Sequence, residues 1–240
     1  MVKNTRRVQR GEESLSRERI VEASIALLDS GGESGLTFRA LAERLATGAG
    51  ALYFHVANKN DLLHAACDAV VASVMAAAAT GAAPRENIRA IGIGMFDAID
   101  ARPWVGAELT RAAGKMPTVR LLEGIGRQVV ALGVAQQAQW LVASTLLNYI
   151  LGVAGQNAAN TAAAMATGAV RSHALAAVAA DWSQLAADEY SFTRSIAGQL
   201  REHDDREDFL AGIDLILEGV AASRPSVTSS RQAAARKAST

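Results

Sequence analysis

The stretch LTFRALAERLATGAGALYFHVANKNDLL, residues 36–63, decides the fold. Thr37 stands where an N-cap is expected, and the residues after it have the apolar spacing of a short helix with Leu41 on its buried edge. A tight turn is predicted at 46–48, and a second short helix is predicted at 49–56. Two short helices joined by such a turn form a helix-turn-helix.

The second helix of this motif has two different faces. Leu52 and Val56 are four residues apart and share one face, whereas Phe54 lies opposite them with Tyr53 beside it. Large aromatic rings on the outer face of so short a helix indicate that this face meets a partner. The alternative is that Tyr53 and Phe54 pack against a neighbouring helix of their own domain.

The rest of the chain is predicted to be helical, which makes the fold all-α. Half of the residues are hydrophobic, only 5% are aromatic, and there are four prolines in 240 residues. One helix, opened by Ser16 and closed by Gly31–Gly32, precedes the motif, and another runs from Lys59 to about Ala79. Further helices are predicted at 84–101, 104–113, 117–132, 136–158, 178–200 and 206–222, while residues 156–177 fit either a helix or a loop.

Charge is unevenly distributed along the chain. Residues 1–59 hold 9 basic and 7 acidic side chains, residues 60–223 hold 11 and 17, and residues 224–240 hold 4 and none. A small basic module joined to an acidic body is typical of nucleic-acid-binding proteins. We predict a disordered basic arm at 1–13, a helix-turn-helix domain at 14–60, an effector-binding and dimerisation domain at 61–223 and a disordered basic tail at 224–240.

Several classes of function find no support in the composition. Cys67 is the only cysteine, so no internal disulfide forms and a cytoplasmic location is expected. No uninterrupted apolar run reaches the roughly 18–20 residues of a membrane span, and the N-terminus lacks the apolar core of a secretory signal. The histidines lack metal-ligand spacing and no G-x-S-x-G elbow occurs, so we predict no enzyme, no cofactor and no metal. Cys67 is expected to be buried packing.

Residues 36–63 resemble the DNA-binding segment of TetR-family regulators, and the LYxHVxNKxxLL pattern is most similar to the tetracycline-repressor branch. The resemblance extends back to Leu15. A weaker resemblance at 188–200 and 208–220 matches the last two helices of the family. The family implies a helix-turn-helix domain followed by a larger helical domain that binds ligands and dimerises.

The resemblance also implies which residues contact DNA. Thr37 and Lys59 match phosphate-binding positions, and Arg39 matches an arginine that reads a base. The full set implied by the family is Thr37, Arg39, Ala49, Gly50, Ala51, Tyr53, Phe54, His55 and Lys59. The Gly-Ala-Gly-Ala run at 48–51 departs from the polar residues of many relatives. Base reading is therefore expected to shift to Arg39, to Tyr53, or to a basic arm formed by Lys3, Arg6, Arg7 and Arg10.

A homodimer on a palindromic double-stranded operator is implied as well. Its interface would be a four-helix arrangement of the two helices that carry Trp140, Leu147, Leu151, Phe209, Ile213, Ile216 and Val220. The alternative is that these side chains form the core of a monomer.

The family further implies a small-molecule effector bound among the central helices. Candidate ligand contacts are Met75, Phe96, Ile99, Trp104, Leu121, Trp140, Asn148 and Tyr149, although apolar residues at helical spacing are also the usual core. Met75 and Ala101 stand where tetracycline-binding members hold their metal with histidines, so we predict a mostly apolar ligand instead.

The function that we predict is that of a repressor released from its operator by a small apolar ligand. The alternatives are a helical-bundle ligand carrier or enzyme without DNA binding, and a scaffolding dimer without DNA affinity.

Overall fold

The computed structural model describes residues 15–78, 83–112, 114–168 and 171–223. Its described residues form helices and no strands, as predicted. The chain divides into two compact units, Met1–Ala66 and Cys67–Thr240. The division and the predicted domain boundary after residue 60 both fall within one helix, Lys59–Ala78. The predicted arm at 1–13 and the tail at 224–240 lie outside the described residues.

Residues 15–66 of the N-terminal unit form three helices and the beginning of a fourth. They are α1 (Arg17–Gly35), α2 (Phe38–Arg44), α3 (Ala49–Leu52) and α4 (Lys59–Ala78). The hydroxyl of Ser16 accepts from the amide of Arg19 and caps α1, as predicted. Gly32 leaves helical geometry with a φ of 59°, which kinks α1 where its end was predicted.

Seven further α-helices complete the described part of the C-terminal unit. They are α5 (Pro84–Ala101), α6 (Pro103–Arg111), α7 (Met116–Ala131), α8 (Gln136–Thr167), α9 (Arg171–Ser183), α10 (Ser191–Ile196) and α11 (Asp205–Ala222), with a 3-10 helix at Ala197–Arg201 before α11. Helices α5, α7 and α11 pack around α8. Buried apolar residues of α5, such as Ile91 and Met95, supply much of the core between them.

The prediction for the segment after residue 156 was partly wrong. Residues 156–167 continue α8, which ends at Gly168 with a left-handed φ of 65°. The single helix predicted at 178–200 is instead α9, a turn, α10 and the 3-10 helix. At this break the Ser183 hydroxyl donates to the Ala179 carbonyl and Arg194 donates to the carbonyl of Leu185.

Two of the helices have the length and hydropathy of a membrane span. Among the described residues these are α4 and the Gln136–Ala166 part of α8. Core and interface helices of helical proteins have the same length and hydropathy as membrane-spanning helices.

Candidate nucleic-acid interface and effector cavity

The turn between α2 and α3 is built by local hydrogen bonds. The Thr37 hydroxyl accepts from the amide of Ala40 at 3.1 Å and caps α2, as predicted. At the other end of α2 the amide of Thr47 donates to the Ala42 carbonyl at 2.9 Å. Ala46 lies between them with a φ of 49°, the one non-glycine residue with positive φ in the described segments. Helices α2 and α3 with this turn therefore form the predicted helix-turn-helix.

Helix α3 is shorter than predicted and ends at Leu52 instead of Val56. The amides of His55 and Val56 both donate to the Leu52 carbonyl, at 3.0 and 3.1 Å, which closes a turn instead of extending the helix. Leu52 and Val56 are nevertheless both buried, as their shared face predicted. They hold the motif to its own domain and leave the opposite face outward.

Two aromatic rings occupy that outward face. The side chain of Phe54 is 90% exposed and that of Tyr53 is 59% exposed. Tyr53 also stacks on Phe38 of α2, with ring centroids 4.5 Å apart and planes 8° from parallel. One side of Tyr53 therefore packs against a neighbouring helix of its own domain, which was the alternative considered from the sequence, while the Phe54 ring is exposed to solvent. So large an exposed apolar ring indicates a surface that meets a partner.

The chain between α3 and α4 is fixed by Arg17 and Asp61. The Arg17 guanidinium donates to the His55 carbonyl at 2.7 Å and pairs with the Asp61 carboxylate at 3.2 Å. Asp61 also accepts from the amide of Ala57, and Asn58 caps α4 by accepting from the amide of Asp61. These bonds set the position of His55, whose side chain is half-buried.

Opposing effects act on the pKa of Asp61. Burial raises the pKa of this carboxyl, but the hydrogen bonds from Ala57 and Arg17, together with the Arg17 charge, outweigh it, and the pKa lies below the ordinary value. Asp61 is therefore an anion at neutral pH and holds the loop before α4 to α1.

The polar candidates for DNA contact differ in their present partners. Arg39 is exposed on α2. Lys59 donates its ammonium to the Glu33 carbonyl at 2.6 Å, so a phosphate would replace that bond. The exposed surface of α3 consists of Ala49 and Gly50, with Ala51 half-buried. A Cβ built on Gly48 or Gly50 meets no atom of the described part of the chain within 4 Å.

Two contributors to this surface escaped the sequence analysis. Phe38 supports the Tyr53 ring, and Arg17 anchors the His55 carbonyl. Both pairs join residues far apart in the chain, and helical periodicity reports only neighbours within one helix.

Comparison with known proteins identifies the family. Residues 20–66 match the family model described as bacterial regulatory proteins, tetR family. A solved transcriptional regulator of this kind from Streptomyces coelicolor is 47% identical, with a TM-score of 0.80, and the match covers 87% of this chain and 99% of that one. The chain belongs to the TetR family.

Curated relatives agree with this TetR assignment. An HTH-type transcriptional regulator from Saccharopolyspora erythraea is 30% identical over 139 residues, and the match spans 58% of this chain and 59% of that protein. The class C tetracycline repressor of Escherichia coli is 44% identical over 57 residues, covering 24% of this chain and 26% of the repressor. Relatives named as transcriptional regulators confirm the prediction of a regulator and not an enzyme.

The fold of the whole TetR chain recurs in more distant relatives. The S. coelicolor protein ActR, solved in complex with actinorhodin, has a TM-score of 0.72 at 19% identity, over 89% of this chain and 99% of ActR. This likeness confirms the larger helical domain behind the helix-turn-helix.

The C-terminal unit of this TetR-family chain contains a cavity of about 550 Å³ between α4, α5 and α7. Met75, Ile91 and Val119 contribute apolar lining, and Arg120 and Gln128 contribute polar lining. Arg120 is held by the carboxylate of Asp68 at 2.7 and 2.8 Å. A volume of this size is in the range of small-molecule sites.

The predicted ligand contacts are scattered relative to this cavity. Met75 is the predicted contact that lines this cavity. Gly124 leaves room for the Met75 side chain, because a Cβ added at Gly124 would clash with it. Phe96, Ile99 and Leu121 are buried in the core, whereas Trp140 and Asn148 are exposed. Trp104 is half-buried, and the Tyr149 hydroxyl donates to the Phe209 carbonyl at 3.1 Å. The assignment of these residues to the ligand stays a prediction.

The predicted dimer contacts divide into two groups. Phe209 and Ile213 are fully buried in the core of their own unit, where the Phe209 ring lies 4.9 Å from that of Phe96. Leu147 is also buried, so these three side chains are not available to a partner surface. Trp140 is 71% exposed, while Leu151, Ile216 and Val220 are half-buried. The apolar arc of α11 is wide because one side packs on α5.

Proposed function

We propose that this regulator is a homodimeric repressor that binds a palindromic double-stranded operator through α2 and α3 and is released by a small, mostly apolar molecule. The cytoplasm is its expected location. The observation that carries the proposal is the outward aromatic surface of Tyr53 and Phe54, fixed from behind by buried Leu52 and Val56. Family membership supports it, because the family model described as bacterial regulatory proteins, tetR family, matches residues 20–66, which include this surface.

The proposed DNA contact combines three kinds of group. The Phe54 ring and the methyl groups of Ala49 and Ala51 suit apolar contact with thymine methyls in a major groove. Arg39 is the base-reading cation, and Lys59 leaves the Glu33 carbonyl to bind a phosphate.

A second copy is needed for a specific site, because one short helix reads few base pairs. The N-terminal half of α8 and the C-terminal half of α11 border an apolar groove that includes Leu141, Val142, Ile216 and Val220. Trp140 and Leu215 add exposed apolar surface on the same two helices. A four-helix interface between two copies would remove this surface from water.

Effector release is proposed to act through α4. This helix begins at Lys59 in the DNA-binding unit, and its residue Met75 lines the cavity of about 550 Å³. A ligand that displaces Met75 changes the packing of α4. A near-complete switch requires the ligand to bind the DNA-free conformation more tightly by about 5.5 kcal/mol.

The DNA contact is tested with a duplex selected from a random library. Phe54→Ala is expected to weaken specific binding at least about tenfold, the cost of one good contact. Phe192→Ala is the matched control, since Phe192 is a 72% exposed ring in the other unit. Arg39→Ala should reduce the preference for one base at a single base pair. Lys59→Ala should weaken binding to all DNA sequences alike and reduce the dependence of affinity on salt concentration. Equal affinities of the Phe54 and Phe192 variants would disprove the assigned surface.

The effector site is tested with two exposed valines of α7. Val119 lines the cavity and Val130 does not. We expect Val119→Trp to abolish release by a molecule that native mass spectrometry finds bound to the purified protein, with operator affinity retained. Val130→Trp should respond normally, and an unaltered response of the Val119 variant would exclude this cavity.

A further inference from the structure

The described residues of the C-terminal unit also form a larger cavity, of about 920 Å³. It lies between the C-terminal half of α8 and α9, and its end is bordered by residues of the 3-10 helix and the start of α11. It shares no lining residue with the cavity of α4, α5 and α7. The two cavities are therefore separate sites.

The wall of this cavity formed by α8 carries polar side chains in its first part, at residues 156–161. Gln156 and Asn160 are one turn apart and bring two amide groups to the lining. Asn157 and Thr161 lie beside them and both donate to the Asp100 carboxylate, at 2.8 and 3.2 Å. The hydrogen bonds of Asn157 and Thr161 to Asp100 fix the orientation of this face of α8. The wall offers amide donors and acceptors suited to carbonyl and hydroxyl groups.

The opposite wall, formed by α9, is apolar. Leu175, Val178 and Trp182 follow at the spacing of one helix face and line the cavity. Val178 is 39% exposed, and Met165 of the facing helix is 77% exposed. Apolar side chains around an unfilled space remain in contact with water, and a bound apolar body would remove them from it.

The charged end of the cavity is internally paired. Arg171 forms an ion pair with Asp205, and the His203 ring lies 2.9 Å from the same carboxylate. His203 also contacts Asp208 through its other ring nitrogen. Since the Arg171 charge is already matched by a carboxylate, the site favours neutral molecules over anions or cations.

From these features we propose that the cavity between α8 and α9 is a second small-molecule site. It takes a neutral amphipathic molecule, with an apolar body against Leu175, Val178 and Trp182 and a carbonyl- or hydroxyl-bearing edge against Gln156 and Asn160. The inference goes beyond the proposed function, in which the effector occupies the cavity that contains Met75.

The test uses 3-hydroxyflavone as the probe, because it is neutral, is fluorescent and carries one carbonyl and one hydroxyl on a single edge. Ala174 lines the cavity on α9, and Ala177 is an exposed residue of the same helix outside the lining. We expect Ala174→Trp to weaken binding of the probe at least tenfold and Ala177→Trp to leave it within twofold of the unsubstituted protein. Equal binding by both variants, at unchanged helicity and Tm, overturns the proposal.

Hydrogen exchange locates the probe on the unsubstituted protein, which covers the case that Ala174→Trp fails to fold. Slower exchange on binding is expected in residues 156–168 and 171–182. Slowing confined to residues 116–128 would place the probe in the cavity of α7 and refute the second site. Because neither measurement includes DNA, the result is independent of whether the protein is a repressor.

Discussion

Ala46 shows how the helix-turn-helix depends on one strained residue. Its φ of 49° lies in the left-handed region, where an L-residue with a Cβ is destabilised by about 1–2 kcal/mol. The turn needs this conformation so that α3 can start three residues later while the Thr47 amide still reaches α2. Ala46 therefore reduces the stability of the motif that it helps to shape.

Ala46→Gly is expected to stabilise residues 36–63 by about 0.5–1 kcal/mol, after allowing for the extra entropy of glycine in the unfolded chain. Native-state hydrogen exchange of the α2 and α3 amides measures the change. Ala49→Gly, in the first turn of α3, is the control and should speed exchange. A loss of protection in the Ala46 variant would contradict the strain argument.

Asp61 makes the N-terminal unit sensitive to acid. Its folded pKa is lowered, so its ionised form stabilises the unit above the unfolded value of about 3.9, and this stabilisation is lost as the pH falls through the folded pKa. Asp61→Asn should reduce stability at pH 7, and its difference from the unsubstituted protein should shrink below about pH 4. Hydrogen exchange of the amides in residues 15–66, followed against denaturant concentration at several pH values, tests this. A stability difference between the Asp61→Asn variant and the unsubstituted protein that stays constant down to pH 3 would refute it.

Cap positions were the most predictable residues of the site. Ser16 and Thr37 each accept the expected backbone amide, since a cap depends on neighbours within three residues. The stacking of Phe38 on Tyr53 and the reach of Arg17 to His55 join separate helices. Such contacts cannot be predicted from a single sequence, because they depend on how the helices pack in three dimensions.

Among elements, α5 shows how glycines allow helices to approach closely. A Cβ on Gly92 would clash with Ile213 of α11, and one on Gly94 would lie 2.7 Å from Val74 of α4. Both glycines thus serve helix packing on opposite sides of α5. The ion pair of Arg85 with Asp214, at 3.1 Å, joins α5 to α11 near the same crossing.

Gly92→Ala is expected to destabilise the C-terminal unit by about 1–3 kcal/mol, because the added methyl overpacks the crossing with α11. Gly126→Ala is its matched control, since no atom of the described segments lies within 4 Å of a Cβ built there. The control should be neutral or stabilising by up to about 1 kcal/mol from helix propensity. Urea unfolding followed by circular dichroism distinguishes the two, and equal midpoints would rule out close packing at Gly92.

The boundaries of α5, α7 and α11 were predicted within a residue or so because prolines and caps mark them. The prediction failed after Ser183, where no glycine or proline interrupts the helical pattern. There Arg194 donates to the Leu185 carbonyl across the turn. Helical periodicity does not predict side-chain bonds of this kind.

At the scale of the whole molecule, function rests on the proposed pairing of two chains. Leu141 and Leu215 are 67% and 69% exposed, on the two helices that border the apolar groove. Exposed leucines at such a surface are costly in a monomer and stabilising in an interface.

Leu141→Asp is expected to convert a dimer to a monomer at micromolar concentration and to reduce operator affinity at least about a hundredfold, since one half-site then binds alone. Analytical ultracentrifugation and binding to the selected duplex measure both effects. Val130→Asp, at a 56% exposed position on α7, is the control and should remain dimeric. A Leu141 variant that stays dimeric would place the interface elsewhere.

The open space around Gly48 and Gly50 has a consequence for the evolution of this regulator. No neighbour among the described residues obstructs a side chain added at either position, and both lie at the start of the exposed α3. A single codon change there adds a new group to the proposed DNA-contact surface without repacking the domain beneath it. A duplicated gene could therefore acquire a different target site in few mutational steps, while its helical scaffold remains unaltered.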